Sequence, residues 1–317
     1  MSDVVSWIIF AIAVGGLLSL DLFVFHREAK KVSMREAGTW VAVWVTLGLA
    51  FGGWIFLTRD ATSGAEYLAG YLIEYSLSMD NVFVFAVLFA YFGIPGQYQH
   101  RLLFWGVLGA IVFRAIFILA GTALLEAFHF IVYVFGALLL FTAWRMVTAG
   151  AENVDPSANP FLRLMRRVIP VTSDIRGQEF FTRLDGRLVA TPLFAALVVI
   201  ETSDIMFAID SVPAILAITQ DTFIVFTSNA FAIMGLRSLY FLLAGLIDRF
   251  EYLKFGLAAL LAFAGVKMLA SDIFHIDVWV SLGVILAILA LSITVSLVAT
   301  RGHRVPPTTP PAAPPTV

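Results

Sequence analysis

Apolar runs of roughly 20 residues, the length a helix needs to cross a bilayer, recur throughout this 317-residue chain, and two of them carry acids at the same spacing. Glu74, Asp80 and Asn81 stand in the first, and Asp204, Asp210 and Ser211 in the second. A carboxylate near the middle of a bilayer costs about 2.5–3.5 kcal/mol on insertion scales, so a chain keeps several there only where they pair or bind something. The recurrence points to an internal repeat built around a polar site.

Composition requires lipid around this chain. Hydrophobic residues make up 60% of it, charged residues 13%, and the mean hydropathy is +0.93. That leaves too few polar side chains to cover a water-facing surface. A net charge of -2 lacks the Lys and Arg surplus that a phosphate backbone demands, so a nucleic-acid partner is not expected. Cysteine is absent, which excludes a disulfide framework, a thiolate metal site and a cysteine nucleophile.

The expected architecture is an all-α membrane protein of about nine transmembrane helices. Apolar runs lie near 4–25, 38–57, 68–92, 102–125, 128–148, 191–217, 223–247, 254–270 and 278–299. The first is expected to be a retained helix rather than a cleaved leader, because Asp3 precedes it and the bases Arg27, Lys30, Lys31 and Arg35 follow it. With the N-terminus outside, the inner segments also hold Arg101, Arg163, Arg166, Arg167, Arg176, Arg183, Arg187, Arg249, Lys254, Arg301 and Arg304, and the outer loops hold only Arg59. This positive-inside asymmetry implies a bacterial-type inner membrane protein with a cytoplasmic C-terminus.

The organisation is expected to be two N-terminal spans in 1–57, a three-helix unit in 68–148, a cytoplasmic connector in 149–190, a second three-helix unit in 191–270, a final span in 278–299 and a disordered Pro-rich tail in 305–317. Within the connector, Asn159 and Pro160 can start a short helix whose apolar residues alternate with Arg163, Arg166 and Arg167. Asp185-Gly186 lies between Phe181–Leu184 and Arg187–Ala190 as a hairpin turn would. A solvated linker is the alternative.

Aligning Glu74 with Asp204 also aligns Asp80 with Asp210. Arg114 then matches Arg237, and the stretch from Phe135-Gly136 to Arg145 matches that from Phe255-Gly256 to Lys267. Each unit reads as acidic helix, arginine helix, base-ended helix. Three spans being odd, the second unit enters the membrane inverted, an arrangement that places a binding site near the midplane and permits alternating access. Six residues along one ideal helix separate two carboxylates by about 9 Å axially and about 120° around, so Glu74 and Asp80 alone cannot easily hold one ion. Either a helix breaks or acids of both units meet. Pro213 supplies a reason for a break, since it cannot donate to the Ile209 carbonyl; a packing kink without a ligand role is the alternative.

Six acids in the spans, Asp21, Glu74, Asp80, Glu201, Asp204 and Asp210, face the four bases Arg114, Arg145, Arg237 and Lys267. The surplus of two negative charges would suit one divalent cation. Arg114 and Arg237 are expected as structural ion-pair partners. Glu201 shares a helix face with Asp204 and, with Asp21, is a candidate for the ion pathway. Asn229 fits an interhelical hydrogen bond or a neutral ligand equally well. No histidines pair at zinc-ligand spacing, and no nucleophile set, phosphate-cradling glycine loop or nucleotide fingerprint is present, so neither an enzyme nor a tightly bound cofactor is expected.

At these residues the chain resembles the TerC/Alx family of integral membrane proteins. The resemblance is carried by EYSLSMDNVFVF from Glu74, FWGVLGAIVFRAIF from Phe104, DGRLVATPLF from Asp185, ETSDIMFAIDSVPAILAIT from Glu201 and TSNAFAIMGLRSLYFLL from Thr227. It implies a manganese exporter, associated by family name with tellurite resistance, whose metal residues would be Glu74, Asp80, Asp204 and Asp210, with Asn81 and Asn229 beside them. Oxygen ligands of these kinds suit manganese, magnesium or calcium. The expected function is export of Mn2+ through a midplane carboxylate site, in exchange for protons. The alternatives are a membrane partner aiding insertion or metalation of other proteins, and an exporter of another small solute.

Overall fold

The computed structural model describes residues 3–20, 33–148, 159–172, 175, 177–184, 186–243 and 253–299. The chain runs through α1 (Asp3–Leu20), α2 (Met34–Thr58), α3 (Ala61–Tyr91), α4 (Gly96–Ala127) and α5 (Ile131–Thr148). A connector follows, with α6 (Pro160–Val168) and the strands β1 (Phe181–Leu184) and β2 (Arg187–Ala190). The second half holds α7 (Pro192–Leu216), α8 (Thr222–Met234), α9 (Leu236–Leu243), α10 (Leu253–Leu269) and α11 (Val278–Ala299).

Local chemistry fixes several helix starts. Asp60 caps α3 by accepting from the Ser63 amide at 2.8 Å, and Asp221 caps α8 by accepting from the amides of Phe223 and Ile224. Asn159 does the same for α6, whose first residue is Pro160, the position where the missing N–H costs nothing. The strands pair antiparallel, Leu184 opposite Arg187, with Gly186 at a φ of 78° in the turn where a side chain would be strained.

Among the described residues, seven helical stretches are long and apolar enough to cross a membrane: α2, α3, α4, α5, α7, the α8–α9 pair and α11. The chain is thus a multi-span helical membrane protein, apart from the small hairpin in its connector. Two runs expected as spans fall short of that measure. The apolar part of α1 is described over Val4–Ser19 only, and α10 has 17 residues. Exposed Ile12, Leu119, Trp144 and Leu291 give the bundle the apolar exterior that lipid requires.

The helices are not equally placed. Almost all of α8 is buried, whereas α2, α5 and α11 bury only a minority of their residues. Around α8, α3 packs on both α7 and α8, α4 packs on α7 and α8, and α5 lies along α10. The α5–α10 contact is close because two glycines face each other: a Cβ on Gly265 would come within 2.9 Å of the Gly136 carbonyl oxygen.

α7 keeps its helical course through Pro213, and the Ala217 amide donates to the Pro213 carbonyl at 2.9 Å. The interruption falls elsewhere. Gly235 separates α8 from α9.

Candidate functional site

Seven residues is nearly two full helical turns, so positions i and i+7 lie about 20° apart around a helix. That rule sorts the acids. On α3, Glu74, Ser78 and Asn81 share one buried face, and on α7 Asp204 and Ser211 do likewise. Asp80 and Asp210, six residues on from the first acid of each set, are rotated away and only half-buried.

The two buried faces meet. The Asn81 Nδ2 donates to Asp204 Oδ1 at 3.2 Å, while Ser78 donates back along α3 to Glu74 Oε1 at 3.0 Å. Arg114 enters from α4 and forms an ion pair with Glu74. The same guanidinium nitrogen, Nη1, donates to Ser211 Oγ at 2.9 Å and to Asn229 Oδ1 at 2.8 Å. Four helices therefore contribute to one polar centre, in which Glu74 is wholly inaccessible and Arg114 and Asp204 nearly so.

Several oxygens at this depth have no protein donor. Asn81 Oδ1, Asp204 Oδ2 and Glu201 Oε2 are buried without a hydrogen-bond partner. Glu201, three residues before Asp204, sits against the α4 backbone at Gly109, where a side chain of any size would overlap its carboxylate. Gly109 is thus the opening that lets an acid lie between α4 and α7.

The remaining sequence candidates stand apart from this centre. Asp210 accepts from Thr142 of α5 at 2.8 Å. Asp80 makes no hydrogen bond or ion pair among the described residues. Arg237, on α9, is buried and lines a small cavity with Leu18, Trp44, Phe104, Val107 and Met234. Asp21 lies outside the described residues. Among the described residues, no three Asp, Glu or His side chains gather closely enough to hold a metal ion by themselves. Amide, hydroxyl and carboxylate oxygens together would have to supply any such set.

Sequence reasoning missed three partners. Ser211 was visible as the counterpart of Asn81 but not as a contact of Arg114; the seven-residue spacing was the signal. Thr142 carries no signal in a single sequence. Glu66 near the start of α3 accepts from Thr219 at 2.8 Å, and it adds a seventh acid to the spans. The tally of six acids against four bases therefore no longer leaves a surplus equal to one divalent ion.

A buried ionic centre inside a bundle of lipid-exposed helices defines an integral membrane protein with a polar interior. The chain belongs to the integral membrane protein TerC family, whose model matches residues 59–304. It is 48% identical over 295 residues to an uncharacterized membrane protein of Myxococcus xanthus, covering 93% of this chain and 92% of that one. It is 45% identical over 299 residues to the Escherichia coli protein named "Putative membrane-bound redox modulator Alx", covering 92% and 93%. A membrane protein of Rickettsia bellii is 38% identical over 293 residues, covering 92% of this chain and 97% of its own. No solved structure matches the chain.

Proposed function

We propose that this protein is a transporter that exports a divalent metal cation, Mn2+ first among them, through a site near the bilayer midplane whose buried centre is formed by Glu74, Asn81, Asp204 and Asn229, with Asp80 and Asp210 as outlying carboxylates on the ion's route. The observation that carries this reading is the set of buried acceptor oxygens without protein donors, on Asn81, Asp204 and Glu201. Such groups cost about 1–3 kcal/mol each when left unsatisfied, more for charged ones, and a chain retains them where something else is to be bound. Carboxylate, amide and hydroxyl oxygens suit Mn2+, Mg2+ and Ca2+.

The transport mode we infer is alternating access between two inverted three-helix units, α3–α5 and α7–α10, within nine spans whose N-terminus is outside. Reciprocal packing supports it. The acidic helix α7 packs on the arginine helix α4 of the other unit, the acidic helix α3 packs on α8, and the third helices α5 and α10 pack on each other. Pushing a divalent ion out against an inside-negative potential costs roughly 4.6 kcal/mol per 100 mV, twice the single-charge figure, so the ion needs a driving partner. Protons and metal compete for the same carboxylate oxygens, which makes inward proton movement the natural partner.

The name borne by the Escherichia coli relative raises redox modulation as a second reading. This chain has no cysteine, so it has no thiol chemistry of its own; any redox effect would follow from the metal it moves.

The test is Mn2+ flux in proteoliposomes with the voltage clamped and a pH gradient imposed in either direction. Flux that reverses its preference with the gradient is expected, and indifference to the gradient would remove the proton coupling. In cells, Asp80→Asn and Asp210→Asn should each abolish manganese tolerance while the protein stays in the membrane. Wild-type tolerance in both would favour a role as a membrane partner that moves no ions.

A further inference from the structure

We propose that Arg114 is a tethered rival of the transported cation: its Nη1 sits where a divalent ion binds, and the side chain withdraws when the ion arrives. The proposal rests on the reading of this centre as a divalent-cation site and adds the group that governs its occupancy.

The contacts of the guanidinium carry the argument. Arginine ordinarily presents its planar fork, with parallel N–H bonds from two nitrogens to one carboxylate. Here Glu74 of α3, Ser211 of α7 and Asn229 of α8 all converge on the single atom Nη1. That nitrogen has two protons for three oxygens, and Glu74 Oε2 meets it as an ion pair without a hydrogen bond of its own. The Nε of the same side chain is buried with no hydrogen-bond partner. A carboxylate, a hydroxyl and an amide carbonyl aimed at one point from three helices are the ligand types of a hard metal ion.

Charge gives the rivalry a direction. Glu74 and Asp204 bring two carboxylates to the centre, Asp204 being held through Asn81, and Arg114 returns one positive charge. A divalent ion in its place would balance both carboxylates, whereas a monovalent ion would gain nothing over the guanidinium already there. Arg114 therefore discriminates by charge. On release of the metal it re-covers the acids, so the empty centre is not left as bare carboxylates in a low-dielectric interior. Its three-carbon stem lets the head withdraw while α4 stays packed.

The experiment is a Mn2+ titration of the purified full chain in detergent, with free aqueous Mn2+ followed by its electron paramagnetic resonance signal. Arg114→Gln should bind Mn2+ about tenfold more tightly than the wild type, and millimolar guanidinium should weaken binding in that variant while leaving the wild type unaffected. Arg114→Lys keeps a positive charge for Glu74, and hence the fold, and leaves all three oxygens in place, but its shorter side chain ends about one bond short of where Nη1 sits. It should tighten binding about threefold. Should Arg114→Gln fail to fold, Arg114→Lys decides alone. Equal or weaker binding in these variants would overturn the proposal while leaving the metal site in place. A failure of wild type and variants alike to bind Mn2+, Mg2+ or Ca2+ would instead remove the metal site itself, and the rivalry with it.

Discussion

The segments Glu74–Asn81 and Asp204–Ser211 share one spacing of polar residues and differ in what surrounds them. In α3 the first acid is fully buried against a guanidinium, and the second, Asp80, has no partner among the described residues. In α7 the first acid faces an amide and keeps one oxygen without a donor, while the second is tied to a threonine of α5. Like patterns in sequence have become four unlike carboxylates. The lesson is that position on the helix sets burial, and the neighbouring helix then sets chemistry: a guanidinium pairs directly with Glu74, and a hydroxyl donates to Asp210.

The comparison is broken most directly by removing the charge from each helix in turn. Glu74→Gln leaves the Arg114 guanidinium buried without its carboxylate, an error that costs about 3–5 kcal/mol. Asp210→Asn keeps an acceptor for Thr142 at a half-buried position and should cost at most about 1 kcal/mol. Thermal unfolding in one detergent, followed by size-exclusion of the fluorescently tagged protein, should show Glu74→Gln far below Asp210→Asn. Equal destabilisation would mean that the two acids occupy equivalent environments after all.

A smaller effect is expected where α4 makes room for an acid of α7. At Gly109 an added Cβ meets the Glu201 carboxylate, while at Gly53 on α2 it meets nothing within 4 Å. Gly109→Ala must push the helices apart or expel the carboxylate, and overpacking of this kind costs about 1–3 kcal/mol. Gly53→Ala should be neutral or stabilising by up to about 1 kcal/mol, since alanine is the better helix former. The same unfolding measurement ranks them. A benign Gly109→Ala would show that Glu201 is free to leave its seat, which would sharpen its claim to a place on the ion pathway.

Much of this architecture was legible in the sequence, for identifiable reasons. Lipid forces long apolar runs, so α2, α3, α4, α5, α7 and α11 could be located from hydropathy, although α3 and α4 begin well before the expected 68 and 102, at Ala61 and Gly96. Turn chemistry exposed the connector, where Asn159-Pro160 starts α6 and Gly186 stands in the turn between β1 and β2. The break beside the polar centre was less legible. Pro213 is a stronger local signal than Gly235, yet Pro213 lies three residues from the end of α7, where little of the helix remains to be disturbed, and the interruption sits at Gly235 instead. Partner choice was the least legible of all. That Thr142 would meet Asp210, or that Glu66 would meet Thr219, depends on how helices lie against one another, and periodicity within one helix does not encode this.

The smallest expected effect concerns a carboxylate paired outside the membrane-spanning helices. Asp272, beyond the end of α10, accepts from Tyr133 at 2.5 Å and lies 3.0 Å from the His129 ring nitrogen, linking α10 to the start of α5. These partners hold its carboxyl below the ordinary value of 3.8. A depressed folded value means that the link contributes stability above the unfolded value, and that the contribution is lost as pH falls through the folded one. Both Asp272 and His129 are exposed, so water screens the pair and the contribution should be slight. Unfolding of wild type and Asp272→Asn between pH 7 and pH 3 should show a small difference at neutral pH that shrinks as the medium becomes acid. A large difference at neutral pH, approaching that of Glu74→Gln, would contradict the idea that burial, rather than the presence of a partner, decides how much each of these carboxylates matters to the fold.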